Sequence, residues 1–275
     1  MKKLIVLFVL LFSAGPCWAK YHAYTFNWVE ASLYSGWGAP NSYDESMHDI
    51  YLEFQAFHRY KLLDAYWFVD FFDIFNTTRS DMHGRDPGLY GEVNPRLSLD
   101  GLLNRDLSFW RFKEQFISYQ LDFDNSSFGG GLKRNHFGPG SDFRLKDFDY
   151  FRVNLFARYY TEAYDSNLEG KWDGYLFNIA YGRPLYTFPY DIQLYFDGWL
   201  DFVFGADKSN NRTDFEGNRI GTSRSFQWFN QIRIIKGHFS ISYSCKINYN
   251  FIEMKKLYYN SSNSTMHIVG IHYNF

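Results

Sequence analysis

Polar and apolar residues alternate along most of this chain with a period of two. From Asp49 onward, Glu53 and Gln55 fall on one face and Leu52, Phe54 and Ala56 on the other. Asp64, Tyr66, Phe68, Asp70 and Phe72 alternate with Ala65, Trp67, Val69 and Phe71, and Glu92, Asn94, Arg96, Ser98 and Asp100 with Val93, Leu97 and Leu99. The habit continues near the chain's end, where Ser240, Ser242, Ser244, Lys246 and Asn248 oppose Phe239, Ile241, Tyr243, Cys245 and Ile247. It predicts an all-β chain of twelve strands, near 23–35, 49–59, 62–74, 90–100, 113–124, 127–136, 150–162, 173–183, 190–204, 223–236, 238–250 and 264–275. Pro95 interrupts the fourth; a proline removes a ladder donor, which predicts a bulge there. The period alone suits two architectures, since a soluble sheet with one wet face alternates in the same way.

The links between segments separate them. The second is a few residues around Tyr60 and the tenth is the tight Lys236-Gly237 turn, whereas 36–48, 75–89 and 205–222 are long; 101–112 and 137–149 depart from the rule. An even strand number with short turns at one end and long polar loops at the other predicts a transmembrane antiparallel β-barrel of the outer membrane. Aromatic residues at segment boundaries suit the two interfacial girdles of such a barrel: Trp28, Tyr34, Trp37, Trp67, Phe72, Trp110, Phe112, Tyr159, Tyr160, Trp199, Trp228, Tyr273 and Phe275. Val269, Ile271, Tyr273 and Phe275 share one face at the chain's end and resemble the terminal signature of outer-membrane proteins, from which His267 departs.

Composition fits that reading. Aromatics make up 22% of the 275 residues and charged residues 21%. Beyond the first dozen positions no apolar run approaches the roughly 20 residues of a membrane helix, and the wealth of rings excludes a disordered chain. A net charge of −2 leaves no basic footprint for nucleic acid. Lys2 and Lys3, the apolar stretch Leu4 to Phe12 and the small residues ending at Ala19 read as a secretory leader over 1–19, with 20–275 as a single domain. Cys17 would leave with the leader, so Cys245 alone permits no intrachain disulfide.

Three stretches, Tyr51-Leu52-Glu53-Phe54-Gln55-Ala56-Phe57, Asp64-Ala65-Tyr66-Trp67-Phe68-Val69-Asp70 and Glu92-Val93-Asn94-Pro95-Arg96-Leu97-Ser98-Leu99-Asp100, resemble the Tsx-type nucleoside-specific channels and the related OmpK-type porins. A weaker echo is Phe196-Asp197-Gly198 with Asp201. The resemblance implies a monomeric twelve-stranded barrel in the outer-membrane lipid of a Gram-negative bacterium, admitting nucleosides and in some members serving as a receptor for phage or colicin.

A nucleoside has a flat base and a hydroxylated sugar and no net charge. Tyr66 and Phe68 on the inward face suit stacking of the base. Asp70, Glu53 and Glu92 suit ribose hydroxyls, because ionised carboxylates only accept hydrogen bonds. Arg96 and Arg158 are expected to pair with those carboxylates, and Asp197 joins the lumen set. Inward acids outnumber inward bases on these faces, which predicts mild cation preference and argues against a phosphate channel. The nearest imitation of a catalytic pair is His136 near Ser141, set in a Gly-Pro-Gly stretch that reads as a turn, so an enzyme is not expected. No cofactor or metal is called for, the eight histidines being scattered; Asp81, Asp86 and Asp207 in outer loops are at most calcium candidates. The competing reading is a barrel whose outer loops matter most, a surface receptor or adhesin, or a general porin.

Overall fold

The computed structural model describes residues 24–39, 47–72, 74–75, 88–125, 131–163, 167–208, 219–257 and 260–275. The leader over 1–19 lies outside them, as do Asp81 and Asp86. Alternation becomes strand in twelve long segments: β1 (Tyr24–Ala39), β2 (Met47–Lys61), β3 (Leu63–Phe71), β4 (Leu89–Ser98), β5 (Phe112–Asp124), β6 (Leu132–Phe143), β7 (Tyr150–Ala163), β8 (Lys171–Phe188), β9 (Ile192–Phe204), β10 (Arg224–Lys236), β11 (Phe239–Tyr249) and β14 (Ser264–Asn274). Each pairs antiparallel with its sequence neighbours, and β1 pairs with both β2 and β14, so the sheet closes into a barrel. Closure removes the edges that an open sheet would expose. The short strands β12 (Lys256–Leu257) and β13 (Asn260–Ser261) form a separate hairpin within the last link.

Burial settles which architecture the alternation serves. Glu30, Arg59, Asp64, Arg96, Glu114 and Arg158 are buried, while Ile232, Ile234, Ile241, Tyr243 and Ile271 are exposed. A soluble sandwich would show the reverse. Contacts between strands that are not neighbours prove that the buried face is the interior: Arg59 on β2 reaches Glu114 on β5, and the Arg152 guanidinium on β7 lies 4.0 Å from the Phe57 ring on β2.

The prolines behave differently from expectation. Across Pro95 the β4 register does not shift: Val93 faces Leu121 and Arg96 faces Ser118 in the same register, and the ladder to β5 simply skips Asn94 and Pro95. No bulge is needed, because two skipped pairs accommodate the missing N–H while Pro95 stays opposite Ala65 on β3. The stretch Gly138-Pro139-Gly140 likewise lies inside β6 and is not a turn. An added Cβ at Gly138 would sit 1.8 Å from the Leu155 carbonyl oxygen of β7, and one at Gly140 2.3 Å from both Asn154 Oδ1 and Ser118 Oγ. Gly138 allows the close approach of the β7 backbone, and Gly140 makes room for two polar side chains. The link to β7 therefore shrinks to 144–149 and joins the short turns, leaving 99–111, with its single helical turn α1 (Leu99–Leu102), as the exception. A register shift does occur between Pro184 and Tyr186, where β8 continues past the segment predicted from alternation.

Rings at strand ends divide into two groups. Trp37, Trp110, Trp228, Tyr273 and Phe275 are exposed, as an interfacial girdle requires. Tyr34 and Tyr160 are instead buried in the interior, and Phe72 and Trp199 pack against interior rings, so the girdle assignment fails for these four. His267, the departure in the terminal pattern, stacks between Trp37 and Tyr243 and accepts or donates a 2.6 Å hydrogen bond with Tyr243 Oη. It is a polar-tipped member of the outer ring band.

Candidate functional site

The alternation of β1 to β4 aims a continuous run of rings into the lumen. Tyr66 and Phe68 have centroids 6.1 Å apart, and Phe68 lies 5.8 Å from Tyr90. Beside them, Tyr34 stacks on Tyr51 at 5.1 Å and Tyr51 meets Phe72 at 5.4 Å. Tyr66 is fixed by donating its Oη hydrogen to Gln55 Oε1 at 2.9 Å. On another part of the wall Trp199 stacks on Phe229 at 5.8 Å, with the Lys246 ammonium 5.0 Å from the indole.

Carboxylates interleave with these rings. Glu53 faces Asp70 across the β2–β3 ladder, and Glu92 lies between Phe68 on β3 and Asp122 on β5. Asp201 on β9 accepts from Asn178 Nδ2 at 2.7 Å. Lys246 is near enough to Asp70 and Asp201 to interact electrostatically with both. Asp70 Oδ1 is buried and takes no hydrogen bond from the described residues. This part of the lumen thus offers ring faces and, at Asp70 Oδ1, an acceptor that no described residue uses.

The arginines are used otherwise. Arg96 donates to Asp64 through Nε at 2.9 Å and Nη2 at 2.7 Å, and through Nη1 to Asp142 at 2.8 Å, while its guanidinium covers Phe116 at 4.0 Å. Its pairing with Glu53, Asp70 or Glu92 does not occur. The register explains this, for the residue opposite Arg96 on β3 is Asp64. Arg59 extends the same network to Glu114 at 2.6 Å and Asp64 at 3.4 Å. A second network centres on Glu30, which binds Arg233 and His272 and accepts from Gln55 Nε2 at 2.9 Å. Asp197 belongs here, 3.5 Å from Arg233 Nε. Both networks lie toward the short-turn end, where β1 starts and β14 finishes.

Toward the other end Arg158 also departs from expectation. It donates to Tyr160 Oη at 2.5 Å and pairs with Glu253 at 3.2 Å, not with Glu53, Asp70 or Glu92. Glu253 comes from the link after β11, which alternation does not describe. Nearby, Arg134 holds Asp122 at 2.5 Å and buried His136 faces the Phe156 ring at 5.8 Å. His136 and Ser141 are not a pair: Ser141 Oγ donates to the Glu114 carbonyl at 2.9 Å. Among the described residues no group of three or more His, Cys, Asp or Glu is placed to hold a metal ion.

Of the residues singled out from sequence, Tyr66, Phe68, Asp70, Glu53 and Glu92 come together on the β2–β4 wall, whereas Arg96 and Asp197 lie in the two charge networks and Arg158 stands apart under Glu253. Tyr34, Tyr51, Tyr90 and Lys246 were not singled out as site residues, although the same alternation carries a signal for each: Tyr34 shares a face with Glu30 and Ser32, and Lys246 with Ser242 and Ser244.

The profile of the family described as nucleoside-specific channel-forming protein, Tsx, matches residues 23–275. The outer membrane protein OmpK of Vibrio parahaemolyticus is 26% identical over 281 aligned positions, which cover 100% of this chain and 99% of that protein. The nucleoside-specific channel-forming protein Tsx of Klebsiella aerogenes is 29% identical, covering 78% of this chain and 74% of its own. Among solved structures, the KdgM porin aligns with a TM-score of 0.46 at 11% identity, covering 90% of this chain and 99% of the porin.

Proposed function

We propose, from the premise that this chain belongs to the Tsx family of nucleoside-specific channel-forming proteins and is a nucleoside channel of the outer membrane, that solutes pass along the ring-lined wall of β1 to β4. The observation that carries this is the run Tyr66, Phe68 and Tyr90 beside Glu53, Asp70 and Glu92. A base stacks on one ring after another, each contact contributing about 1 to 3 kcal/mol. The sugar hydroxyls donate to neighbouring carboxylates, which when ionised act as acceptors only. Rings about 6 Å apart form a series of weak sites, and conduction needs binding weak enough to leave.

Arg96 and Asp197 narrow the passage and keep its charge balanced within their own networks. The orientation in the membrane follows from loop lengths, with the short turns facing the periplasm and the long links the exterior. The reading is one of passive diffusion without catalysis, by a single barrel domain whose exposed face meets lipid. Replacing Tyr66→Ala together with Phe68→Ala tests it. Nucleoside flux into proteoliposomes should fall several-fold while flux of a sugar of similar mass changes little; an equal change for both would remove stacking from the account.

A further inference from the structure

The link between β11 and β14 turns inward. Thr222 N donates to the Glu253 carbonyl at 2.8 Å, Lys255 N donates to the Ile220 carbonyl at 2.9 Å, and Met254 bridges to Gly221, so the segment is pinned on the link before β10. From there Glu253 extends into the interior, accepts from Ser225 Oγ of β10 at 3.0 Å and reaches Arg158 of β7 at 3.2 Å. In barrel order β7 lies four strands from β11. Both charged side chains are almost wholly buried. The contact therefore bridges the lumen itself.

The backbone confirms that the segment is held in place. Asn250, Ile252 and Glu253 have φ of 49°, 51° and 54°. Such values are uncommon outside glycine, and for a β-branched residue such as Ile252 they mark an outlier. Strained backbone of this kind persists only where surrounding contacts over-determine it, and it gathers at functional sites. Arg158 itself is wholly buried, and its Nε and Nη1 make no hydrogen bond to the described residues.

We infer that Glu253, bridging to Arg158, is a specificity-determining residue at the outer mouth, setting an upper size limit on the solutes that reach the ring-lined wall. A small solute passes beside the bridge. A bulkier one meets the fixed segment. The inference rests on the chain being a channel, and is independent of which rings or carboxylates the solute meets further in.

The test uses the full-length barrel in planar bilayers and liposomes, with KCl conductance and entry of a neutral trisaccharide as readouts, neither of which depends on nucleoside recognition. Glu253→Ala should raise single-channel conductance about twofold and admit the trisaccharide, which the unmodified protein should exclude. The exchange Glu253→Arg with Arg158→Glu should restore exclusion, and it also decides the matter where the single variant fails to assemble. Unchanged conductance and continued exclusion in Glu253→Ala, or a leaky exchange variant that is folded, would overturn the inference. A failure of nucleoside selectivity with an intact effect of Glu253 would instead tell against the ring-lined path alone.

Discussion

At the scale of single residues, the interior is an unusual place for a charge. Arg233 and His272 surround Glu30, which is 0% exposed, and Gln55 donates to the same carboxylate. A buried pair of this type need not stabilise relative to apolar residues, but removing one partner leaves an uncompensated charge at a cost of about 3 to 5 kcal/mol. Arg233→Met should therefore lower the temperature at which the folded barrel converts to its slower-migrating form in detergent gels. Adding Glu30→Leu should recover most of that loss. An unchanged transition in the single variant would show that Glu30 is solvated or neutral there. These partners are invisible in the sequence, where Glu30 and Arg233 stand far apart and only barrel closure brings β1 near β10.

At the scale of elements, close approach of strands matters more than local preference. β6 contains Gly138-Pro139-Gly140, three residues that usually punctuate a chain. Here the absent Cβ at Gly138 makes room for the Leu155 carbonyl of β7. Gly138→Ala should separate β6 from β7 and deplete the folded form, while Gly237→Ala, in an open turn with nothing within 4 Å of its added Cβ, should assemble with a small loss of stability. Comparable folded yield of the two would refute the packing argument. The same stretch shows where sequence reading stops. Twelve strands are legible from alternation, although the second half of β6 reads as a link, and with them the inward direction of Tyr66, Phe68, Asp70, Glu53 and Glu92. Tyr34 and Trp199 look like girdle rings because a position near a strand end does not reveal whether a ring points to lipid or lumen. The partners of Arg96 and Arg158 depend on cross-strand register, and Glu253 sits in a link with no periodicity at all.

At the scale of the whole molecule, the account requires one closed sheet around a polar lumen. Leu33 and Ile271 are partners across the closing β1–β14 ladder, both on the exposed face. Leu33→Cys with Ile271→Cys should crosslink under mild oxidation, since directly opposed strand residues meet the Cα separation of a disulfide; Leu33→Cys with Phe275→Cys should not. Closure makes the passage, and the rings and carboxylates on β1 to β4 make it selective. The most direct measurement is the swelling of liposomes carrying the purified barrel in adenosine or thymidine against sugars of similar mass. The account predicts faster entry of the nucleosides, and slowing of one nucleoside's entry by excess of the other. Equal entry of nucleosides and sugars, with no competition, would contradict it.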